Sequence, residues 1–219
     1  VHLKSKNMEN KKETIVCFGS HSDDLQIGMG GTIAKYSKDG KDVIGVVFSS
    51  GEKSSPWLKK DYLVESRREE AKKIGEFIGC KETLFFGLKD MKLQEEIKNP
   101  KVKKAVINII NHFKPTSIFT HSKFDPHPDH KAVNEIIFDV LDEIDKEKKI
   151  NVYVFEVWNI LNETRPRIYV DVSDTFNKKI EAMKKFKSQK VFIWTLMLPV
   201  YIRSFICGFH AKCRYAERF

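Results

Sequence analysis

Apolar runs of strand length alternate along this chain with segments whose apolar residues recur at helical spacing. Ile15–Gly19 is the first such run, and Gly30–Lys38 after it predicts a helix that stops at Gly40. Asp42–Ser49 is a second apolar run of strand length. A strand, a helix and a strand in this order predict a βαβ unit, in which the two strands are parallel and the crossover is right-handed.

The alternation continues through the rest of the chain. Further helices are predicted at Leu63–Ile78, Val102–Phe113, Pro128–Asp145 and, after a Ser173 cap, Asp174–Lys187. Further strands are predicted at Thr83–Phe86, Ser117–Thr120, Val152–Val157 and Ile168–Val172, with loops or turns at Ser50–Asp61, Gly87–Asn99 and Asn162–Pro166. The pattern predicts an α/β fold: a single Rossmann-like domain with a mostly parallel sheet and helices on both faces.

The composition is that of a soluble globular protein, with 41% hydrophobic and 32% charged residues in a chain of 219. This length favours one domain with a hydrophobic core large enough to be stable without disulfide bonds or structural metal ions. The opening segment 1–13 is polar and charged, so we expect it to be disordered or left over from cloning. The folded domain is predicted at 14–219.

The net charge bears on the expected binding partners, and the cysteine spacing bears on the expected cellular compartment. The formal net charge is +9, but the lysines are spread over almost every polar face and no nucleic-acid recognition motif accompanies them. We therefore expect a solvated Lys-rich surface and no nucleic-acid partner. The four cysteines show no C-x-x-C spacing, which favours reduced, mostly buried thiols in a cytoplasmic protein.

The segment Val191–Phe209 is apolar and has about the length that spans a bilayer. Pro199 and Arg203 near its middle argue against a membrane span. We expect no stable membrane insertion, and instead burial against the domain or against a second copy in a homo-oligomer.

Histidines and aspartates follow the first and the fourth predicted strands. They are His21, Asp23 and Asp24 after the first, and His121, Asp125, His127, Asp129 and His130 after the fourth. In a sheet of this class ligands bind outside the carboxyl ends of the strands, so the two groups are expected to converge.

The converging residues suit a catalytic divalent metal. His21, Asp24 and His130 supply two imidazoles and one carboxylate, a ligand set that zinc accepts with one position left for water, and other divalent metals such as Fe²⁺ fit it too. Asp23 beside them would remain unligated and act as general base. His127 would line the same cavity and stabilise an oxyanion or protonate a leaving group.

Other polar residues receive supporting roles or none. Asp125, Asp129 and His121 are candidates for orienting the metal ligands. The glycines of Gly28–Gly31 do not directly follow the strand, as a nucleotide-binding turn requires, so we interpret them as helix packing. His2 and His112 are expected on the surface, whereas the place of His210 is left open.

The motifs HSDD, followed by IGMGGTIAKY, and HPDH resemble the PIG-L/LmbE-like family of zinc-dependent de-N-acetylases, which usually show HPDD and a similar HxxH element. The resemblance continues through SRREEA, GLKDMKL, YVDVSDTFNKKIEAM, KSQ and the closing RYAERF. It covers nearly the whole domain 14–219.

This resemblance implies a metal-dependent hydrolase that removes the N-acetyl group from an N-acetylglucosamine-containing small molecule. Carried onto matching positions, it implies zinc at His21, Asp24 and His130, Asp23 as base, His127 as oxyanion stabiliser or acid, and Arg67 as a substrate contact. Arg68 beside Arg67 could take that last role. The aglycone of the substrate is not implied.

Two positions depart from the family pattern. Ser22 replaces the usual proline, which loosens the turn that holds His21 and Asp24. Phe186 stands where many relatives have histidine, which bears on substrate choice. Neither departure removes a predicted ligand.

Three other functions remain open at this point. One is a non-catalytic sugar- or nucleotide-binding protein, although an intact Asp23 beside a metal is not needed for binding alone. Another is a zinc amidohydrolase acting on a different small amide. The third is a nucleic-acid-binding protein driven by the positive charge.

Overall fold

Seven strands and seven helices lie within the residues that the computed structural model describes, which are 12–49, 51, 60–158 and 167–219. The strands are β1 (Thr14–Gly19), β2 (Asp42–Ser49), β3 (Glu82–Leu88), β4 (Ser117–His121), β5 (Asn151–Phe155), β6 (Tyr169–Asp171) and β7 (Ala216–Arg218). The helices are α1 (Asp24–Lys38), α2 (Lys60–Ile78), α3 (Leu93–Glu96), α4 (Pro100–Phe113), α5 (Pro128–Ile144), α6 (Phe176–Lys184) and α7 (Lys190–Ala211).

Some sequence predictions fall outside the described residues. They are the predicted turn Asn162–Pro166, most of the predicted N-terminal segment 1–13 including His2, and most of the predicted loop Ser50–Asp61.

A five-stranded parallel sheet with the order β3-β2-β1-β4-β5 forms the centre of the domain. On β1, Val16 pairs with Ile44 of β2 on one side and with Ile118 of β4 on the other. The predicted α/β class and the parallel pairing of the first two strands are confirmed. Because β1 and β4 are neighbours, the residues that follow them emerge side by side at one edge of the sheet.

Helices cover both faces of this sheet, as predicted. Ile15 and Cys17 of β1 belong to a core cluster with residues of α1, α2, α6 and α7. Val16 and Phe18 belong to a second cluster with residues of α3, α4 and α5. Successive side chains of a strand point to opposite faces, so a strand that is apolar throughout is buried on both sides.

The last two strands differ from the expectation of one continuing sheet. The predicted strand at Ile168–Val172 is present as β6, but it pairs antiparallel with β7 in a separate two-stranded sheet. The sequence did not predict β7, because three residues, one of them alanine and two charged, carry no strand pattern. The helix expected after Ser173 also begins later, with Thr175 as its N-cap.

Helix α1 begins at Asp24, earlier than predicted, and is interrupted at Met29, where φ is −144° and ψ is 21°. The half that follows the interruption is the predicted helix. Its first backbone N–H groups, those of Gly31 and Thr32, donate to the carboxylate of Glu217 at 3.0 and 2.6 Å. A carboxylate from β7 thus takes the place that an anionic ligand would occupy at a helix N-terminus.

Close packing explains the glycines of α1. A Cβ atom at Gly28 would lie 2.4 Å from the ring of Phe155, and one at Gly31 would lie 2.9 Å from Val172. Separations below about 3 Å are sterically excluded for carbon atoms. The interpretation of these glycines as packing residues is confirmed.

Helix α7 is the one described helix whose length and composition would suffice to cross a membrane, and 39% of its most apolar 18-residue stretch is buried inside the protein. Its Arg203 donates to the backbone carbonyls of Glu156 at 2.8 Å and Ile27 at 3.0 Å. The helix therefore packs on the domain, and its arginine stabilises that contact.

Candidate metal centre and active site

A cavity of about 740 Å³ opens at the carboxyl ends of β1 and β4. All six residues that the sequence placed in the site line it: His21, Asp23, Asp24, Arg67, His127 and His130. The topology brings them together, because the turn after β1 and the start of α5 after β4 lie beside each other in the sheet.

The carboxylate of Asp24 contacts three imidazoles, and the shortest of these contacts, 3.1 Å, joins its Oδ2 to Nε2 of His121. Its Oδ2 accepts the backbone N–H of His21 at 2.7 Å and is 3.4 Å from His21 Nδ1. Its Oδ1 is 3.4 Å from His130 Nε2. Asp24 thus contacts both predicted histidine ligands, whereas the described groups whose ligating atoms all lie within 4.8 Å of one another are His21, His127 and His130; Asp24, His121 and His130; and His21, Asp90 and Asp129.

His130 is held by a second carboxylate in the manner of a metal ligand. Its Nδ1 lies 2.9 Å from Oδ1 of Asp125, and Pro128 starts the helix that carries it. Its buried Nε2 makes no hydrogen bond of good geometry among the described residues, and Oδ1 of Asp24 lies 3.4 Å away. Buried polar atoms are normally paired, so this nitrogen fits a metal ion whose other supporting contact is already in place.

His121 could replace His21 as a ligand by proximity alone, since ligating atoms of Asp24, His121 and His130 lie within 4.8 Å of one another. However, Nε2 of His121 accepts the backbone N–H of Ser20 at 2.9 Å. Burial, and then the charge of His130, lower the pKa of His121 to about 4. His121 is thus a neutral support with an occupied nitrogen, and His21 is the better ligand because it lines the cavity.

His127 presents a proton donor to the cavity. It is the N-cap of α5, and its Nδ1 accepts the backbone N–H of Asp129 at 3.2 Å. A neutral imidazole that accepts at Nδ1 carries its proton on Nε2. Burial, together with the charges of His130 and His21, lowers the pKa of His127, so the ring is neutral at pH 7.

Asp23 is a buried carboxylate with an unusual proton affinity. It is 3% exposed, and its Oδ2 has no hydrogen-bond partner among the described residues. Burial, and then the negative charge of Asp24, raise the pKa of Asp23 to about 6. A carboxylate with a pKa close to neutral is suited to accept and return a proton.

The pKa shifts of Asp24 and His130 favour their charged forms, whereas the pKa shift of Asp23 favours its neutral form. Burial pushes the pKa of Asp24 upward, but interactions with the imidazoles of His130, His121 and His21 overcome this effect and hold that pKa well below its usual range. Burial likewise disfavours the charged form of His130, yet Asp24 and Asp125 raise its pKa to about 9. Without a metal, the proposed ligands form a charged cluster.

Two further carboxylates reach His21 from the opposite wall. Oδ2 of Asp129 lies 3.3 Å from Nε2 of His21 and also accepts the backbone N–H of Met91 at 2.8 Å, while its Oδ1 accepts the backbone N–H of Leu93 at 3.2 Å. Oδ1 of Asp90 lies 3.3 Å from the same Nε2. Sequence reasoning gave Asp129 a supporting role and missed Asp90, although GLKDMKL, which contains it, belongs to the resemblance.

Of the two adjacent arginines, Arg67 is the one at the site. It is 2% exposed, lines the cavity and donates to the carbonyl of Gly51. Arg68 is exposed, and its guanidinium lies 5.3 Å from the ring centre of Phe85. The alternative that Arg68 contacts substrate receives no support from this placement.

The outer wall of the cavity was not predicted. It includes Met91, Val157, Trp158, Lys187, Gln189 and Phe192. The rings of Trp158 and Phe192 lie 5.1 Å apart. Only Met91, within GLKDMKL, and the KSQ segment carried a signal, as parts of the resemblance, and neither came with a role.

Two remaining sequence questions concern residues outside this wall. Phe186 is 1% exposed and packs in the core cluster beneath α1, so its effect on a substrate would be indirect. His210 is exposed on α7, stacks against Tyr169 at 6.0 Å between ring centres, and is not among the residues that line the cavity.

Comparison with known proteins decides the family. The sequence profile of the PIG-L family, described as GlcNAc-PI de-N-acetylase, matches residues 16–141, which is more than half of the chain. The chain belongs to the PIG-L family. The sequence-based recognition of this family is confirmed.

Relatives of this PIG-L family member include deacetylases. The diacetylchitobiose deacetylase of Thermococcus kodakarensis is 26% identical over 227 residues, covering 95% of this chain and 82% of the relative. The solved N,N'-diacetylchitobiose deacetylase of Pyrococcus horikoshii has a TM-score of 0.78 at 24% identity, covering 94% of this chain and 82% of that one. The family and these relatives support N-deacetylation.

The fold alone does not specify that reaction. A solved 4-carboxy-2-hydroxymuconate hydratase from Pseudomonas putida has a TM-score of 0.72 at 21% identity and covers 93% of both chains. Members of one fold thus perform different chemistry, and function has to be argued from the residues of the site.

Proposed function

We propose that this protein is a metal-dependent hydrolase that removes the N-acetyl group from an N-acetylglucosamine-containing small molecule, releasing acetate and a free amine. The observation that carries the proposal is the buried carboxylate of Asp23, which lacks a hydrogen-bond partner among the described residues and lies beside a cluster suited to a metal. A binding protein needs no such base. Membership of a de-N-acetylase family supports the choice of an acetamide as substrate.

The metal would be held by His21, Asp24 and His130, with Zn²⁺ as our first choice and Fe²⁺ as the alternative. The ion would supply Lewis-acid chemistry, polarising the acetamide carbonyl and making water more acidic. Asp125 orients His130 for this role, and Asp129 and Asp90 approach His21 on the other side.

Asp23 would take a proton from the attacking water. Its pKa of about 6 leaves it mostly ionised at pH 7, and burial keeps it basic enough to accept the proton. The protonated Asp23 is then able to return that proton to the departing nitrogen, so the same side chain serves both halves of the reaction. His127 is the alternative acid for that second step.

His127 would hold the oxyanion that forms when water adds to the acetamide carbonyl. Its Nε2 carries the proton of the neutral ring, because Nδ1 is occupied by the N–H of Asp129. A donor already fixed in position stabilises a developing negative charge without having to reorganise. Arg67, buried and fixed by the carbonyl of Gly51, would contact a hydroxyl or other oxygen of the substrate.

The direct test is a screen of N-acetylglucosaminides with different aglycones for acetate release, with and without a chelator. We expect turnover of at least one compound, its loss after chelation and its recovery when Zn²⁺ is added back. Acetate release from simple amides but not from sugars would favour the amidohydrolase alternative. No turnover by metal-loaded protein across the whole set would contradict the proposal.

The outer face of α7 supports our proposal that the protein forms a homo-oligomer. This face exposes Val191, Trp194, Leu198, Ile202, Phe205 and Phe209. Residues at this spacing share one side of a helix, and contiguous exposed apolar surface marks an interaction site. Light scattering after size exclusion is expected to show an oligomer that Phe205→Lys dissociates. A wild-type monomer would contradict it.

A cytoplasmic location stays a prediction.

A further inference from the structure

Ser22, in the turn after β1, makes a long-range contact. Its Oγ accepts a hydrogen bond from Nε2 of Gln189 at 2.7 Å, although the two residues are 167 positions apart in the chain. Ser22 is 3% exposed, so water competes little for this bond. The contact joins the turn after β1 to the N-cap residue of α7.

The chain around Gln189 is itself held firmly. The carboxylate of Glu70, on α2, accepts the backbone N–H of Lys187 at 2.6 Å and both the N–H and the hydroxyl of Ser188. Gln189 is the N-cap of α7 but makes no side-chain cap bond, so its amide is used for Ser22 instead. Gln189 is therefore anchored on both sides and can act as a fixed point.

Ser22 lies within the turn that carries three of the proposed groups. His21 precedes it, and Asp23 and Asp24 follow it. In the orientation that satisfies both of its amide atoms, Gln26 donates to the backbone carbonyls of Ser22 and Asp23 at 3.2 Å. A shift of Ser22 would therefore move a ligand on one side and the base on the other.

A proline at this position would restrict the turn covalently, because its ring fixes φ. Serine lacks that restriction. We propose that Gln189 is a positioning residue of the active site: its hydrogen bond to Ser22 holds the turn of His21, Asp23 and Asp24, which no proline ring restricts. The inference rests on the proposed function for its catalytic consequence, but not for its effect on metal affinity.

A double-mutant cycle with Ser22→Ala and Gln189→Ala tests the coupling. Each single variant removes the same hydrogen bond, and loss of one such bond is expected to weaken Zn²⁺ affinity about 3- to 10-fold. The double variant is expected to bind Zn²⁺ no more weakly than either single variant, because each single variant already lacks the hydrogen bond. Additive effects, or unchanged affinity in either single variant, would overturn the proposal.

The Ser22→Pro background distinguishes positioning through Ser22 from a general contribution of Gln189 to the structure. In this background the turn is restricted by the proline ring, so Gln189→Ala is expected to change Zn²⁺ affinity and kcat less than twofold. If Gln189→Ala weakens Zn²⁺ binding as much in the Ser22→Pro background as in the wild type, Gln189 does not act through Ser22.

Two measurements keep the result interpretable. Gln94→Ala, an exposed glutamine on α3, is the matched control and is expected to leave both quantities unchanged. Zn²⁺ affinity by competition with a chromophoric chelator is read alongside kcat on a turned-over acetamide. If wild-type protein turns over no acetamide, the proposed function fails while the Zn²⁺ cycle still decides the role of Gln189.

Discussion

Two regions of the molecule bury charged side chains, and they do so in opposite ways. At the carboxyl ends of β1 and β4, Asp23 and His130 keep buried polar atoms without hydrogen-bond partners among the described residues. In the C-terminal block of α6, α7 and β7, Lys179 donates to Glu217 at 2.6 Å, with both side chains at most 2% exposed. Burying a charged group costs free energy. In the C-terminal block an ion pair offsets this cost, whereas at the carboxyl ends of β1 and β4 part of it is not offset.

The difference indicates what each region does. The second carboxylate oxygen of Glu217 also accepts a backbone N–H of α1, so its acceptors are used. Such a network fixes how α6 and β7 pack on the interrupted helix. The open cluster lines a cavity instead, where an ion and a substrate could complete it. Buried charged groups that are fully paired indicate a structural role, and buried charged groups that are incompletely paired indicate a functional site.

Removing a proposed ligand should give the largest functional effect. His130→Ala is expected to abolish high-affinity zinc binding and to lower kcat/KM at least about 10³-fold, because a metal contributes several kcal/mol to such a reaction. Metal content by mass spectrometry of native protein and acetate release check it. His112→Ala, on the exposed face of α4, is the control. Full zinc occupancy in His130→Ala would exclude that residue as a ligand.

Breaking the C-terminal network should affect stability and spare the metal. Glu217→Gln leaves Lys179 buried without its counter-charge, which is expected to lower the free energy of unfolding by about 3–5 kcal/mol. Urea unfolding measures this. Glu147→Gln, in a surface ion pair with Lys149, is the control and should cost less than about 1 kcal/mol. Loss of zinc affinity in folded Glu217→Gln would break the distinction between the two regions.

Proton competition should appear at the cavity. Although burial opposes protonation of His130, Asp24 and Asp125 raise its pKa to about 9 in the metal-free protein, so zinc must displace a proton at neutral pH. Affinity is expected to rise with pH, about tenfold per unit for each displaced proton, and the contribution of His130 to this rise is expected to end above pH 9. Titration calorimetry in buffers of different ionisation enthalpy detects the released proton. Binding without proton release at pH 7 would contradict this.

Filling the closest contact of α1 should cost less. Gly28→Ala places a methyl group 2.4 Å from the Phe155 ring, and such overpacking is expected to lower the free energy of unfolding by about 1–3 kcal/mol. Gly30→Ala meets the flexible chain of Lys179 at 3.2 Å and should cost less. Thermal unfolding of both variants ranks them. Equal stability of Gly28→Ala and wild type would remove the packing explanation for this glycine.

The site was predictable from the sequence to the extent that local pattern and topology specify it. Ile15–Gly19 and Ser117–Thr120 were recognisable strands, and parallel order placed His21 and His130 at one edge. The roles of these residues remain proposals, but their convergence follows from elements that each segment encodes by itself.

The rest depends on contacts between distant segments. Glu217 lies in a three-residue strand and accepts a hydrogen bond from Gly31, 186 positions away in the chain. The sequence around Glu217 has no pattern that predicts a buried ion pair. The interruption at Met29 and the approach of Asp90 to His21 are likewise properties of the assembled domain. Pattern reasoning sees periodicity within an element, whereas these features come from packing between elements.

The most direct test of the central claim is Asp23→Asn. The change removes the proposed base and keeps the shape of the side chain. The account predicts zinc content equal to that of the wild type together with a kcat for deacetylation lowered at least about 100-fold, the usual contribution of a general base. Undiminished deacetylation by the zinc-loaded variant would contradict the assignment of Asp23, and loss of zinc with activity would show that Asp23 is a ligand instead.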